Sequence, residues 1–193
     1  MPPKVKYSRD EMIAAALDMA RESGVHSITA RALGEKLGTS SRPVFTAFRN
    51  MLELQQEVKT AANQLYNSYI DAGLCNTPAF KGVGMQYIRF AKEEPKLFQL
   101  LFMSEQPNIT DVTIVLPGID ENYERILSSI VAEYGLNKHS AQTLYRHLWI
   151  YTHGIAVLYA TGTCTFEQEE ISSMLTEVFT SLIKEIGANN HDD

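Results

Sequence analysis

Apolar residues recur at three- and four-residue intervals along almost the whole chain, and strand-type alternation is nearly absent. That period predicts an all-α protein. Met12, Ile13, Ala16, Leu17 and Ala20 mark one face of a first helix. Ser8 and Glu11 have capping-box spacing at its start, and Gly24 is its expected stop. Thr29 caps a short second helix to about Leu37, which Gly38 breaks. A third runs from after Ser40 to about Phe48, with Pro43 tolerated in its first turn. Asn50 with Glu53 opens a long fourth helix to about Ala72. Thr77-Pro78 starts a fifth, to about Glu94, and Pro95 opens a sixth, to about Met103. Residues 104–117 read as either extended chain or a poor helix, and helices follow at about 118–134, 138–161 and 166–187.

Two short helices joined by a tight turn and braced by a preceding helix are the parts of a helix-turn-helix DNA reader. Leu33, Leu37, Val44 and Phe48 can fill the wedge between them, and Gly34 is small where the next helix must cross. At about 100° per residue, Arg42, Thr46 and Arg49 fall within roughly 60° of one another, opposite Val44, Ala47 and Phe48. The third helix therefore has one cationic face and one apolar face. Thr39, Ser40 and Ser41 at its positive end are expected to meet phosphate, and Arg42 and Thr46 to reach base edges. Lys4, Lys6 and Arg9 read as a basic arm able to add backbone or minor-groove contacts. The alternative is two core helices with a solvated face.

Charge sharpens this picture. The chain carries −6 overall, with 17 Lys and Arg against 23 Asp and Glu, which looks wrong for a DNA binder. Residues 1–50 hold eight basic and five acidic residues, a net of +3, and residues 51–193 carry −9. A basic head on an acidic body suits a protein whose one end meets a polyanion. The expected domains are accordingly a three-helix head over 1–50 and a helical ligand-binding and dimerisation bundle over 51–193.

At these residues the chain resembles the TetR family of transcriptional regulators. Tyr7 to Val58 follows that family's head pattern without gaps. Ser40, Val44 and Phe48 stand where members carry a turn serine, a recognition-helix aliphatic and a closing phenylalanine. The segment Tyr87 to Met103 and the stretch Trp149-Ile-Tyr-Thr-His-Gly-Ile155 resemble one subgroup's body. The resemblance implies a ligand-responsive repressor that binds a palindromic operator in double-stranded DNA as a homodimer. Two departures stand out: Phe45 where a tyrosine is common, and Met51 where a lysine is common. Each removes a polar handle on phosphate, although Phe45 still belongs to the expected DNA-facing set. They leave open an alternative, a helical dimer with a degenerate head that acts through ligand or protein contacts.

The last helix carries Ile171, Met174, Leu175, Val178, Phe179, Leu182, Ile183 and Ile186, a stripe wider than its own domain needs. Residues 144–160 are apolar nearly all round, so these two helices are expected to pair with their copies across a two-fold axis. Tyr87, Phe98, Phe102, Tyr123, Tyr145, Trp149 and His153 are candidates to line a site for a small apolar or aromatic effector. Each of these side chains could equally be ordinary core. His147 and His153 lie on nearly opposite helix faces and cannot share a metal, and Cys75 and Cys164 fit no metal spacing. No metal or cofactor is expected, and no phosphate loop or nucleophile elbow suggests an enzyme. With no signal-like or membrane-length apolar stretch, the expected location is the cytoplasm.

Overall fold

The structure, a computed structural model, describes residues 7–104 and 112–189. Every regular element among them is helical, as the apolar period predicts: α1 (Arg9–Ser23), a 3-10 turn (Val25–Ser27), α2 (Ala30–Lys36), α3 (Arg42–Ala47), α4 (Met51–Leu74), α5 (Ala79–Glu93), α6 (Pro95–Phe102), α7 (Val112–Ile119), α8 (Tyr123–Tyr134), α9 (Lys138–Ala160) and α10 (Gln168–Asn189). The chain forms two compact units. One takes the residues up to Tyr66 together with Glu94–Ser104, and the other takes Asn67–Glu93 with the later helices.

In the first unit the local signals do what their chemistry predicts. Ser8 and Glu11 close a full capping box on α1, and the Gly24 N–H, at φ +82°, donates to the Ala20 carbonyl. Thr29 accepts from the Ala32 N–H to start α2. Gly38 turns the chain at φ +63°. Met12, Ala16, Leu33, Val44, Phe48, Leu54 and Val58 are all buried, so α1 to α3 and the start of α4 share one core. From α6, Leu97 and Phe98 are fully buried as well, each contributing about 1.5–3 kcal/mol of hydrophobic stabilisation. α6 packs on α1, and Arg21 forks onto the buried Glu94 carboxylate, its Nε donating to Oε2 at 2.8 Å and its Nη2 to Oε1.

In the second unit α9 is central, packing along α5, α8 and α10. Asn137 caps α9 by accepting from the Ser140 N–H at 2.8 Å. The single helix expected over 118–134 is broken. α7 ends at Ile119 and α8 begins at Tyr123, because the Asn122 N–H turns back onto Asp120 Oδ1 at 2.8 Å. Such a side-chain turn competes with the helix ladder. Asn122 then donates through Nδ2 to Asn67 Oδ1 at 2.8 Å, which ties the break to the far half of α4. No helix among the described residues is long and apolar enough to cross a membrane.

Candidate functional site

The helix-turn-helix begins with a close approach. A Cβ on Gly34 would lie 2.9 Å from both the carbonyl carbon and the carbonyl oxygen of Ser40, so only glycine lets α2 meet the turn this closely. α3 then presents two faces. Val44 and Phe48 are 1% and 2% exposed, and Arg42, Phe45 and Thr46 are open to solvent. Arg42 forms no ion pair among the described residues. The Thr46 hydroxyl donates to the Arg42 carbonyl at 3.1 Å. Ser40 is exposed, and Thr39 and Ser41 are half-buried. Lys4 and Lys6 lie outside the described residues.

Arg49 stands differently from the expectation. α3 ends at Ala47, and Phe48 is extended at φ −127°, ψ 138°, so the helical angle that grouped Arg49 with Arg42 and Thr46 does not reach it. The cause is the apolar side of the same segment: Phe48 leaves the helix and is buried in the three-helix core. Arg49 opens the next turn instead. Its N–H donates to Glu53 Oε2 at 2.7 Å and its Nε to the same oxygen at 3.1 Å.

Arg9 also has a different place. It is the first residue of α1, not part of a loose arm. Its Nη1 donates to the Ala47 carbonyl at 2.7 Å, and its Nη2 donates to Glu53 at 2.9 Å and Glu57 at 2.6 Å. The guanidinium carbon lies 4.3 Å from the centre of the Phe48 ring. The Arg49 N–H, then Arg9 and the Arg49 side chain, hold the Glu53 carboxyl down to about 2. Sequence reasoning read Glu53 only as the partner in an Asn50 cap. That cap exists, with the Glu53 N–H on Asn50 Oδ1 at 2.9 Å, but the carboxylate serves the joint before α4. Leu52, 74% exposed beside it, was missed because the apolar period gave it no role.

The candidate effector residues divide between the units. Phe98 and Phe102 sit on α6 in the first unit, with ring centres 5.2 Å apart, and Phe102 meets Tyr66 edge-on at 4.9 Å. The other five gather in the second unit. Tyr145, Trp149 and His153 are four residues apart on α9 and so share one face. Tyr123 stacks on Tyr145 at 5.5 Å, and Trp149 stacks on His153 at 4.8 Å. The Tyr87 hydroxyl lies 2.9 Å from His153 Nδ1.

The tips of this cluster are polar and nearly dry. Burial, then the charge of Asp120, pushes the Tyr87 and Tyr145 hydroxyls well above their usual range. Burial pulls His153 below its ordinary value. Near neutral pH these groups therefore meet as uncharged donors and acceptors. Trp149 Nε1 is buried with no hydrogen-bond partner among the described residues. The indole N–H faces the Tyr87 hydroxyl closely enough to offset part of the rise that burial imposes on that group. No group of His, Cys, Asp and Glu among the described residues is arranged to hold a metal.

Comparison with known proteins adds the family. No curated protein matches the sequence. Among solved structures, that of a transcriptional regulator from Rhodococcus sp. Rha1 is similar, with a TM-score of 0.64 and 16% identity over 93% of this chain and 97% of that one. At that identity the likeness is one of fold. Residues 80–184, more than half of the chain, match the family described as tetracyclin repressor-like, C-terminal domain. The all-α architecture and the resemblance carried by the head motif agree with that match, and the chain belongs to the TetR family.

Proposed function

We propose that the protein is a DNA-binding transcriptional regulator that acts as a homodimer on a palindromic operator, and that a small ligand in the body releases or engages it. One observation carries the DNA-binding part. α3 exposes Arg42, Phe45 and Thr46 on one side while Val44 and Phe48 anchor the other, as a recognition helix requires. Thr39, Ser40, Ser41 and Arg42 are the proposed contacts at the start of α3. Phe45 offers an apolar face to a thymine methyl or a sugar. Arg49 is a weaker candidate, because Glu53 already neutralises it.

Support for the dimer comes from α9 and α10. Ile150 is 48% exposed, and a Cβ on Gly154 would meet nothing within 4 Å, so part of α9 is open. Val178, Leu182 and Ile183 on α10 are only half-buried. Two copies pairing these helices would carry two heads to two half-sites.

The effector reading rests on Tyr87, Tyr123, Tyr145, Trp149 and His153. It favours an uncharged aromatic or apolar molecule with one hydrogen-bond acceptor that competes with the Tyr87 hydroxyl for the buried indole N–H. The buried Asp120 carboxylate disfavours an anion there. Such a ligand would shift the protein between two arrangements of its heads by binding one of them better.

The test is anisotropy of a labelled duplex, selected from a randomised pool, at several salt concentrations. Binding that weakens with salt, and that in Arg42→Ala loses about 1–3 kcal/mol together with preference at the base pair Arg42 reads, is the expected result. Affinity no greater than for unrelated duplex, and indifferent to Arg42→Ala, would leave the degenerate-head reading in its place.

A further inference from the structure

Four charged side chains meet where α3 hands over to α4. Arg9 reaches from α1 to the last carbonyl of α3, at Ala47, and to Glu53 and Glu57 on α4. Glu53 reaches back to the N–H and side chain of Arg49, in the short joint between the two helices. The guanidinium also covers the Phe48 ring, the residue at which α3 unwinds. Two cations and two anions sum to zero, so the group adds little net attraction for a polyanion. It does fix three things at once: the end of α3, the direction of the joint and the first turn of α4.

A planar guanidinium suits this task, because its donors point along several fixed directions. Here one nitrogen takes a carbonyl and another takes two carboxylates. The α3 helix has only six residues, too few to hold its own orientation by internal hydrogen bonds. Its angle must be set from outside, and the Arg9–Glu53 pair is the polar connection that reaches its carboxyl end.

We propose that Arg9 and Glu53 are positioning residues for DNA recognition: a clamp that sets the angle at which α3 presents Arg42 and Thr46, without touching DNA itself. This rests on the DNA-binding reading above. It assigns Arg9 a role opposite to that of a basic phosphate contact, and the two roles separate cleanly by experiment.

The experiment measures duplex affinity of the full-length protein against salt for wild type, Arg9→Ala, Arg9→Lys, Glu53→Gln and Arg42→Ala, on a duplex selected by the wild type. Circular dichroism and thermal melting show that each variant is folded at the assay temperature. The clamp predicts that Arg9→Ala loses about 10-fold or more in affinity at fixed salt while the log–log salt slope stays at the wild-type value. Arg42→Ala, by contrast, loses affinity through a base contact and relaxes preference at the base pair that Arg42 reads. Arg9→Lys fails to restore affinity, since a point charge cannot span a carbonyl and two carboxylates.

Glu53→Gln is the sharpest arm. It removes a negative charge from the head, so a surface acting only through net charge binds tighter. The clamp predicts weaker binding, and predicts that Arg9→Ala with Glu53→Gln is no worse than Arg9→Ala alone. Glu53→Gln keeps the backbone N–H that Asn50 caps, so this variant retains its helix start even where Arg9→Ala is too unstable to assay. Tighter binding by Glu53→Gln, or a slope reduced by about 1 in Arg9→Ala, overturns the clamp while leaving the DNA-binding reading intact. A wild type that selects no duplex overturns both.

Discussion

Gly34 and Ser40 approach so closely that a single methyl group on the former would press on the latter's carbonyl at 2.9 Å. Both partners in that contact are backbone, so neither can rotate away. Gly34→Ala gains about 1 kcal/mol of helix propensity and meets overpacking of about 1–3 kcal/mol. The expected balance is a small loss of stability with a larger loss of DNA affinity, because relief of the clash moves the turn that carries Ser40 and Ser41. Denaturant melts and anisotropy on the same preparation check this. A Gly34→Ala protein that binds DNA like wild type would show that the crossing has slack.

The pair of Arg21 and Glu94 holds α6 onto α1. Glu94 is only 6% exposed, so removal of its partner leaves a carboxylate with little water around it. Breaking a fully buried pair costs about 3–5 kcal/mol, but the Arg21 side chain is 45% exposed and solvent screens part of the interaction. Arg21→Ala should therefore lower unfolding free energy by about 1–2 kcal/mol, and Glu94→Gln by less, since an amide still accepts from Arg21. Chemical denaturation near neutral pH measures both. An Arg21→Ala loss within experimental error would mean the pair is solvated in practice.

His153 gives a pH dependence with a definite sign. Burial holds its pKa below the ordinary 6.5. Between the lowered value and 6.5 the unfolded chain carries a proton on this residue that the folded chain does not. Stability therefore falls as pH drops below 6.5, and is fully regained above it. His153→Gln should flatten that part of the curve. Denaturation midpoints compared near neutrality and at about pH 5.5 provide the check. An unchanged acid slope in His153→Gln would place the responsible group elsewhere.

Local chemistry was the most legible part of the sequence. The Ser8–Glu11 box, the Thr29 and Asn50 caps and the Gly24 and Gly38 turns each depend on residues within a few positions, and each appears where expected. Gly34 was legible too, as the small residue a crossing needs. What failed were arguments that extended a local rule too far. The helical angle of Arg49 assumed that α3 continued, but burial of Phe48 ended the helix first. The break at residues 120–122 hid inside an apolar period because Asp120 makes its turn through a side chain. The partners of Arg9 lie 38 to 48 positions away, and no spacing rule announces them. Phe98 and Phe102, which the sequence left as either lining or core, lie in the same unit as the head, a placement their position in the chain did not announce. In the second unit, Tyr145, Trp149 and His153 were named only as separate candidates, and their four-residue spacing on α9 is what brings them onto one face.

The inclusion of α6 in the same unit as the head has a practical consequence for anyone who hopes to exchange heads between relatives. The polypeptide enters and leaves that unit more than once: after Tyr66, before Glu94 and after Ser104. A chimaera spliced at one point past the third helix would inherit a foreign partner for Arg21 and a foreign lining for α1. A transplant that keeps its fold has to carry two pieces of chain, the amino-terminal stretch and the distant segment 94–104, as a matched set.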